Sequence, residues 1–188
     1  CQTADTMKQE LWLFTMRFPF GNGEAFLENE LPILAKGFQR VRIFPLLPIG
    51  ASRSLPANVE TVRLFDENSV YQPLSFGRML LDIANVLQVW RSGRRSAPSP
   101  QIFAKHRREY LSQLRQAFER ERIFGHWMSD RYDPDHVVLY SYWSSDWATV
   151  LGIHKLHDNL IRFVSRMMGF DMFDHRAPDG WQRFQNFH

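Results

Sequence analysis

The sequence predicts an α/β fold: a doubly wound, mainly parallel sheet with helices on both faces and a helical insertion in the middle. Three observations lead there. Short runs dense in bulky apolar residues alternate with segments of helical periodicity, the order that builds strand–helix–strand units. The first run, "ELWLFTMRF" (Glu10–Phe18), is apolar on both faces, as a strand covered on two sides must be. Between the third and fourth strand segments the pattern gives way to a basic, helical stretch from Ser75 to Met128.

Taken in order, Glu10–Phe18 is the central strand, and Gly21-Asn22-Gly23 is a turn. A helix follows over Glu24–Lys36, with Phe26, Leu27, Leu31 and Leu34 at helical spacing and Gly37 placed to end it. "RVRIFPL" (Arg40–Leu46) and "VETVRLF" (Val59–Phe65) are the next strands. Ser75–Trp90 is an amphipathic helix, Arg91–Gln101 a loop of Gly, Pro, Ser and positive charge, and Ala104–Met128 a long basic helix or helix pair. "DHVVLYSYW" (Asp135–Trp143) resumes the sheet. Ser144–Leu156 is a helix that Ser144 or Ser145 can cap, and Leu160–Arg166 is a last strand.

A chain of 188 residues with 44% hydrophobic and 23% charged residues suits a single core. Residues 1–7 are polar and expected to be disordered or foreign to the domain, since Met7-Lys8-Gln9 reads as a natural start. Cys1 is the lone cysteine, so an internal disulfide is impossible and a reducing, cytoplasmic setting is expected. No apolar run approaches the roughly 20 residues that cross a bilayer. The net charge of +3 is too mild for a dedicated nucleic-acid binder, and no recognition helix or RNA-binding sheet motif is visible, so no nucleic-acid partner is expected.

The Gly-Asn-Gly turn raises the functional question, because α/β sheets bind ligands beyond the carboxyl ends of their strands. It is not a dinucleotide fingerprint: the third glycine position of G-x-G-x-x-G is Phe26. Glu24 would repel phosphate but could accept from sugar hydroxyls; alternatively the glycines serve a tight turn and Glu24 complements the helix dipole. Trp143, following a strand, could stack on a sugar ring or pack in the core. Asp146 reads as a dipole partner. His154, His157 and Asp158 have helical spacing for a metal but no third strong ligand nearby, so no metal is expected. No nucleophile elbow or Cys/His pair exists.

"FPFGNGEAFLENELPILAKGFQRVRIFPL", "VVLYSYWSSDWATVLGIHKL" and "FVSRMMGFDMFDHRAPDGWQRF" together resemble the N-terminal domain of the bacterial family 4 glycosyltransferases. The likeness runs in order over most of Leu11 to Phe184, with the basic middle matching least. It implies a GT-B architecture, of which residues 1–188 would be the single Rossmann-like, acceptor-side domain. The donor-binding domain, with its paired glutamates and Arg/Lys pair, has no counterpart here, so this part is expected to transfer no sugar alone. The resemblance also implies a retaining, metal-independent transfer from a nucleotide-sugar to a glycan or lipid-linked acceptor, with no cofactor bound by this domain. By the same resemblance Gly21, Asn22, Gly23 and Glu24 face the cleft, and Arg166, Gly169 and Asp171 match a Ser-Arg-x-His-Gly-Tyr-Asp segment. Met168 stands where that segment has His, so a donor contact is lost or replaced. Asp171 would bind an acceptor hydroxyl or cap its turn. Arg94, Arg95, Arg107 and Arg108, in the basic region 91–122, suit an anionic membrane surface or form an ordinary solvated face. A non-catalytic glycan- or membrane-binding module is the competing reading.

Overall fold

The computed structural model describes residues 10–167 together with Trp181, Arg183 and Phe184. The predicted positions Met168, Gly169 and Asp171 lie outside the described residues.

Five strands form one sheet in the order β3-β2-β1-β4-β5, and every pairing is parallel. They are β1 (Glu10–Thr15), β2 (Arg40–Pro45), β3 (Val59–Thr61), β4 (Val137–Ser141) and β5 (Phe163–Ser165). The fold is therefore α/β and Rossmann-like. β1 is central, with Leu13 opposite Ile43 on one side and Tyr140 on the other. Its side chains divide between two layers, as a period of two requires. Leu11 and Leu13 pack with Leu27, Leu31 and Ala35 of α1 (Leu27–Gly37). Trp12 and Phe14 pack with Phe124 of α4 (Pro100–Met128) and with Trp147, Val150 and Leu151 of α5 (Trp147–His157). The apolar character of β1 on both faces thus has its cause in helices on both sides. Aromatic rings dominate the second layer: Phe14 stacks on Phe44 at 5.0 Å and meets Trp147 at 4.9 Å.

The inserted region departs from expectation. The helix read as Ser75–Trp90 breaks at Asp82 into α2 (Phe76–Leu81) and α3 (Ile83–Ser96). The segment Arg91–Gln101 is not a loop: α3 runs through its basic residues, and only 97–99 separate α3 from α4. Ser99 accepts from the Ile102 amide and Pro100 opens the helix, a strong start signal. Gly93, which reads as a loop residue, lies under the Tyr110 ring, so its missing side chain serves packing.

Three helix ends also differ. α1 begins at Leu27 rather than Glu24, because Glu24 adopts a left-handed φ of 54°. Gly37 is the last helical residue with no left-handed conformation, and the side-chain amide of Asn58 instead donates to the carbonyls of Ala35 and Phe38. Neither Ser144 nor Ser145 caps α5 with its side chain; Asp146, at φ 27°, occupies that place. Among the described residues, no helix is long and apolar enough to cross a membrane.

Candidate functional site

β1 sends its chain to α1 on one face and β4 sends its chain to α5 on the other. The carboxyl ends of these adjacent strands therefore form the topological switch point, where open α/β sheets leave a crevice. The loop after β1 is shaped by its glycine and by a distant arginine. Gly21 takes φ 60°, and a Cβ there would stand 3.3 Å from the Ile49 carbonyl oxygen. Arg53 fixes the turn by donating from Nη2 to the carbonyls of Gly21 (2.7 Å) and Gly23 (3.0 Å). Asn22 is exposed at the tip.

Glu24 folds back from this loop. Its carboxylate accepts from the backbone amides of Met16 (3.0 Å), Arg17 (2.8 Å) and Phe18 (2.7 Å), and from the Trp143 indole N–H (2.6 Å). Each carboxylate oxygen takes two donors, which uses its ordinary capacity. Glu24 thus positions the rim, joining the end of β1 to the end of β4, and has little capacity left for a sugar hydroxyl. The backbone amides left bare at the end of β1 are covered by this acid.

Trp143 is half-buried. Its ring lies edge-on to Phe26 at 6.0 Å and to Tyr142 at 5.8 Å. Arg166, just past β5, reaches the same rim. Its Nη1 donates to both oxygens of Glu30 (2.7 and 3.0 Å) and to the Tyr142 hydroxyl (2.7 Å). Tyr142 in turn donates to Glu30 at 3.0 Å. Burial, reinforced by the Glu30 carboxylate, pushes the Tyr142 phenol up, so it stays a neutral donor. Glu30 and Tyr142 were not anticipated, because one looks like a solvated helix acid and the other like a strand aromatic.

Between β1 and β4 the crevice is nearly closed. Phe14, Thr15, Ser141 and Trp147 enclose about 10 Å³, at the limit for one water. Beside it, toward α4, opens a groove of about 340 Å³ lined by Gln113, Gln116, Arg120, Ser145, Asp146 and Thr149 among others. Arg120 holds Asp146 at 3.1 Å and donates to the Val70 carbonyl at 3.0 Å. So Asp146, expected to serve the dipole, is one half of an ion pair. These amide, hydroxyl and charged groups suit a ligand rich in hydroxyls. The sequence signal for the groove was weak, since its α4 residues are scattered along a charged helix.

A second titratable group lies elsewhere, where Glu121 of α4 faces His154 and His157 of α5. Burial raises the Glu121 carboxyl, but hydrogen bonds and charge from the two imidazoles outweigh it and hold it below its ordinary value. The Glu121 hydrogen bond, with help from Asp82 and against partial burial, lifts His157 to about 9. The four basic candidates Arg94, Arg95, Arg107 and Arg108 are all exposed, on the end of α3 and the beginning of α4.

The chain matches no protein-family model, no curated protein and no solved structure. What defines its class is the fold, a doubly wound α/β domain; at its rim Trp143, just past β4, bonds Glu24 of the first loop, and Arg166, just past β5, bonds Glu30 and Tyr142.

Proposed function

We propose that this chain is the acceptor-side half of a GT-B glycosyltransferase that moves a sugar from a nucleotide-sugar to a glycan or lipid-linked acceptor. The observation that carries the reading is the convergence of Gly21–Glu24, Trp143 and Arg166 on one rim of an all-parallel sheet, though over a hundred residues separate the first from the others. The polar groove beside Arg120 and Asp146 supplies a surface for acceptor hydroxyls. In this reading a second, donor-binding lobe closes over the rim and stabilises the diphosphate leaving group. The residues here orient the acceptor and exclude water, and the transfer itself uses no metal. The domain alone is inactive.

The test has two arms. Saturation-transfer NMR of this chain with short oligosaccharides and alkyl glycosides should show contacts that Gln113→Ala with Gln116→Ala weakens while the fold is kept. Full-length protein carrying a donor lobe should hydrolyse or transfer from a nucleotide-sugar, and Met168→His should change which sugar it prefers. No saccharide contact in the first arm, together with no turnover of any nucleotide-sugar in the second, overturns the reading.

One observation favours a membrane-facing role beside it. Exposed Phe76, Leu80 and Leu81 of α2 adjoin exposed Ile83 and Leu87 of α3, and the α3 stripe continues into exposed Arg91 and Arg94. An apolar patch continuous with basic residues suits an anionic bilayer surface. Sedimentation with phosphatidylserine-containing liposomes should fall when Arg94, Arg95, Arg107 and Arg108 become Glu. Unchanged partitioning removes this role.

A further inference from the structure

Three metal-ligand atoms converge at a place remote from the rim. α5 leaves the carboxyl end of β4 and descends about 16 Å over its 11 residues, so its last turn lies toward the amino edge of the sheet. There His154 and His157, three apart on one face, meet Glu121 of α4. The Nδ1 of His154 is 2.7 Å from Glu121 Oε1, and the Nδ1 of His157 is 3.3 Å from the same oxygen. All three ligand atoms lie within 4.8 Å of one another, the only such group of His, Cys, Asp or Glu among the described residues. Bonds of about 2.0–2.1 Å in a tetrahedral site place ligand atoms about 3.3 Å apart, so small adjustments suffice.

Two further features fit an ion. Asp82 Oδ2 is 2.8 Å from His157 Nε2 and can hold a proton there, so a metal ion need only take the place of the Nδ1 proton that faces Glu121. Gly125 leaves the space: a Cβ there would stand 3.1 Å from His154 Nδ1 and 3.1 Å from Glu121 Oε1. Burial decreases from Glu121 through His154 to the exposed His157, which leaves a solvent side for a water ligand.

We infer that Glu121, His154 and His157 bind one divalent transition-metal ion of the zinc class, with water as fourth ligand and Asp82 orienting His157. Two imidazoles and a single carboxylate select zinc-like ions over magnesium or calcium, which take oxygen donors. The ion ties α4 to α5 and, through Asp82, to the α2–α3 junction. Its distance from the rim makes it a brace for the inserted helices and keeps it apart from sugar transfer.

The experiment uses the full 188-residue chain, stripped with chelator and titrated with Zn²⁺ by calorimetry and with Co²⁺ by visible absorption. Expected are one saturable site, visible Co²⁺ bands of low coordination number, and a Zn²⁺-dependent rise in melting temperature. Glu121→Gln, His154→Ala and His157→Ala should each weaken binding at least about tenfold, and Asp82→Asn about tenfold. His136→Ala, at the separate exposed pair with Asp133, should change nothing. Imidazole ¹H–¹⁵N spectra of the unaltered chain guard against variants that fail to fold: Zn²⁺ must shift two histidines at Nδ1. Absence of a saturable site, imidazole signals unmoved by Zn²⁺, or binding that survives loss of both histidines overturns the proposal.

Discussion

Replacing Gly93 with alanine tests the closest helix contact in the insertion. A Cβ at Gly93 would lie 2.2 Å from both Cζ and Oη of Tyr110. The ring cannot yield easily: Tyr110 is 0% exposed, stacks on Trp181 at 5.3 Å and Phe184 at 4.8 Å, and its hydroxyl donates to the Val89 carbonyl at 2.9 Å. Overpacking of this severity costs about 3 kcal/mol. Displacing the hydroxyl costs about 1 kcal/mol more, and the better helix propensity of alanine returns about 1 kcal/mol. The net expectation is a loss of about 3 kcal/mol, or about 6–12 °C in Tm for a chain of this size. Urea unfolding at 25 °C, followed by far-UV circular dichroism, measures it. Tyr110→Ala will itself be strongly destabilising, yet adding Gly93→Ala to it should cost little more, because the clash has gone. A Gly93→Ala protein within about 0.5 kcal/mol of wild type, or additive losses in the double variant, would refute the close crossing of α3 and α4.

Further expectations concern the rim, a helix end and alkaline pH. Glu24→Gln turns two of the four donors toward an amide that cannot accept, and should lose about 2 kcal/mol and alter Trp143 fluorescence; an unchanged urea midpoint would contradict the assigned bonds. Asn58→Ala removes the donor that closes the end of α1 and should cost about 1 kcal/mol, with amide exchange accelerated around Ala35–Phe38. Burial pushes the Tyr110 phenol up, so its neutral form is favoured in the folded chain. The stability this confers is complete below the unfolded tyrosine value of about 10 and is lost as pH rises past it toward the higher folded value. Absorbance at 295 nm should therefore show Tyr110 ionising only as the chain unfolds, and in Tyr110→Phe the late step, which the raised Tyr142 shares, should lose the amplitude of one tyrosine.

The positions of strands and helices were legible because they depend on local periodicity. β1 shows this well: five of its six residues are buried, and its doubly apolar pattern already demanded cover on both faces. Gly21 was legible too, since few residues but glycine reach its φ of 60°. Errors arose where one residue type serves two roles. "RSGRRSAPSPQ" has loop composition, yet all three of its basic residues ride on the exposed side of α3, and Gly93 makes room for a ring 17 positions away. Glu24 has the composition of a helix start but spends its carboxylate on the strand before it.

Sequence by itself determined the α/β class, the central strand and the turn at the switch point, because burial on two faces and backbone conformation leave their mark within a few neighbouring residues. Tertiary structure alone decided that Glu24 bonds Trp143, that Arg166 bonds Glu30, and that Glu121 faces His154 and His157. Those pairings join residues 33 to 136 positions apart, and no local pattern encodes them. A charged side chain on a helix reads the same whether water or a distant partner satisfies it, and only the packed chain settles which.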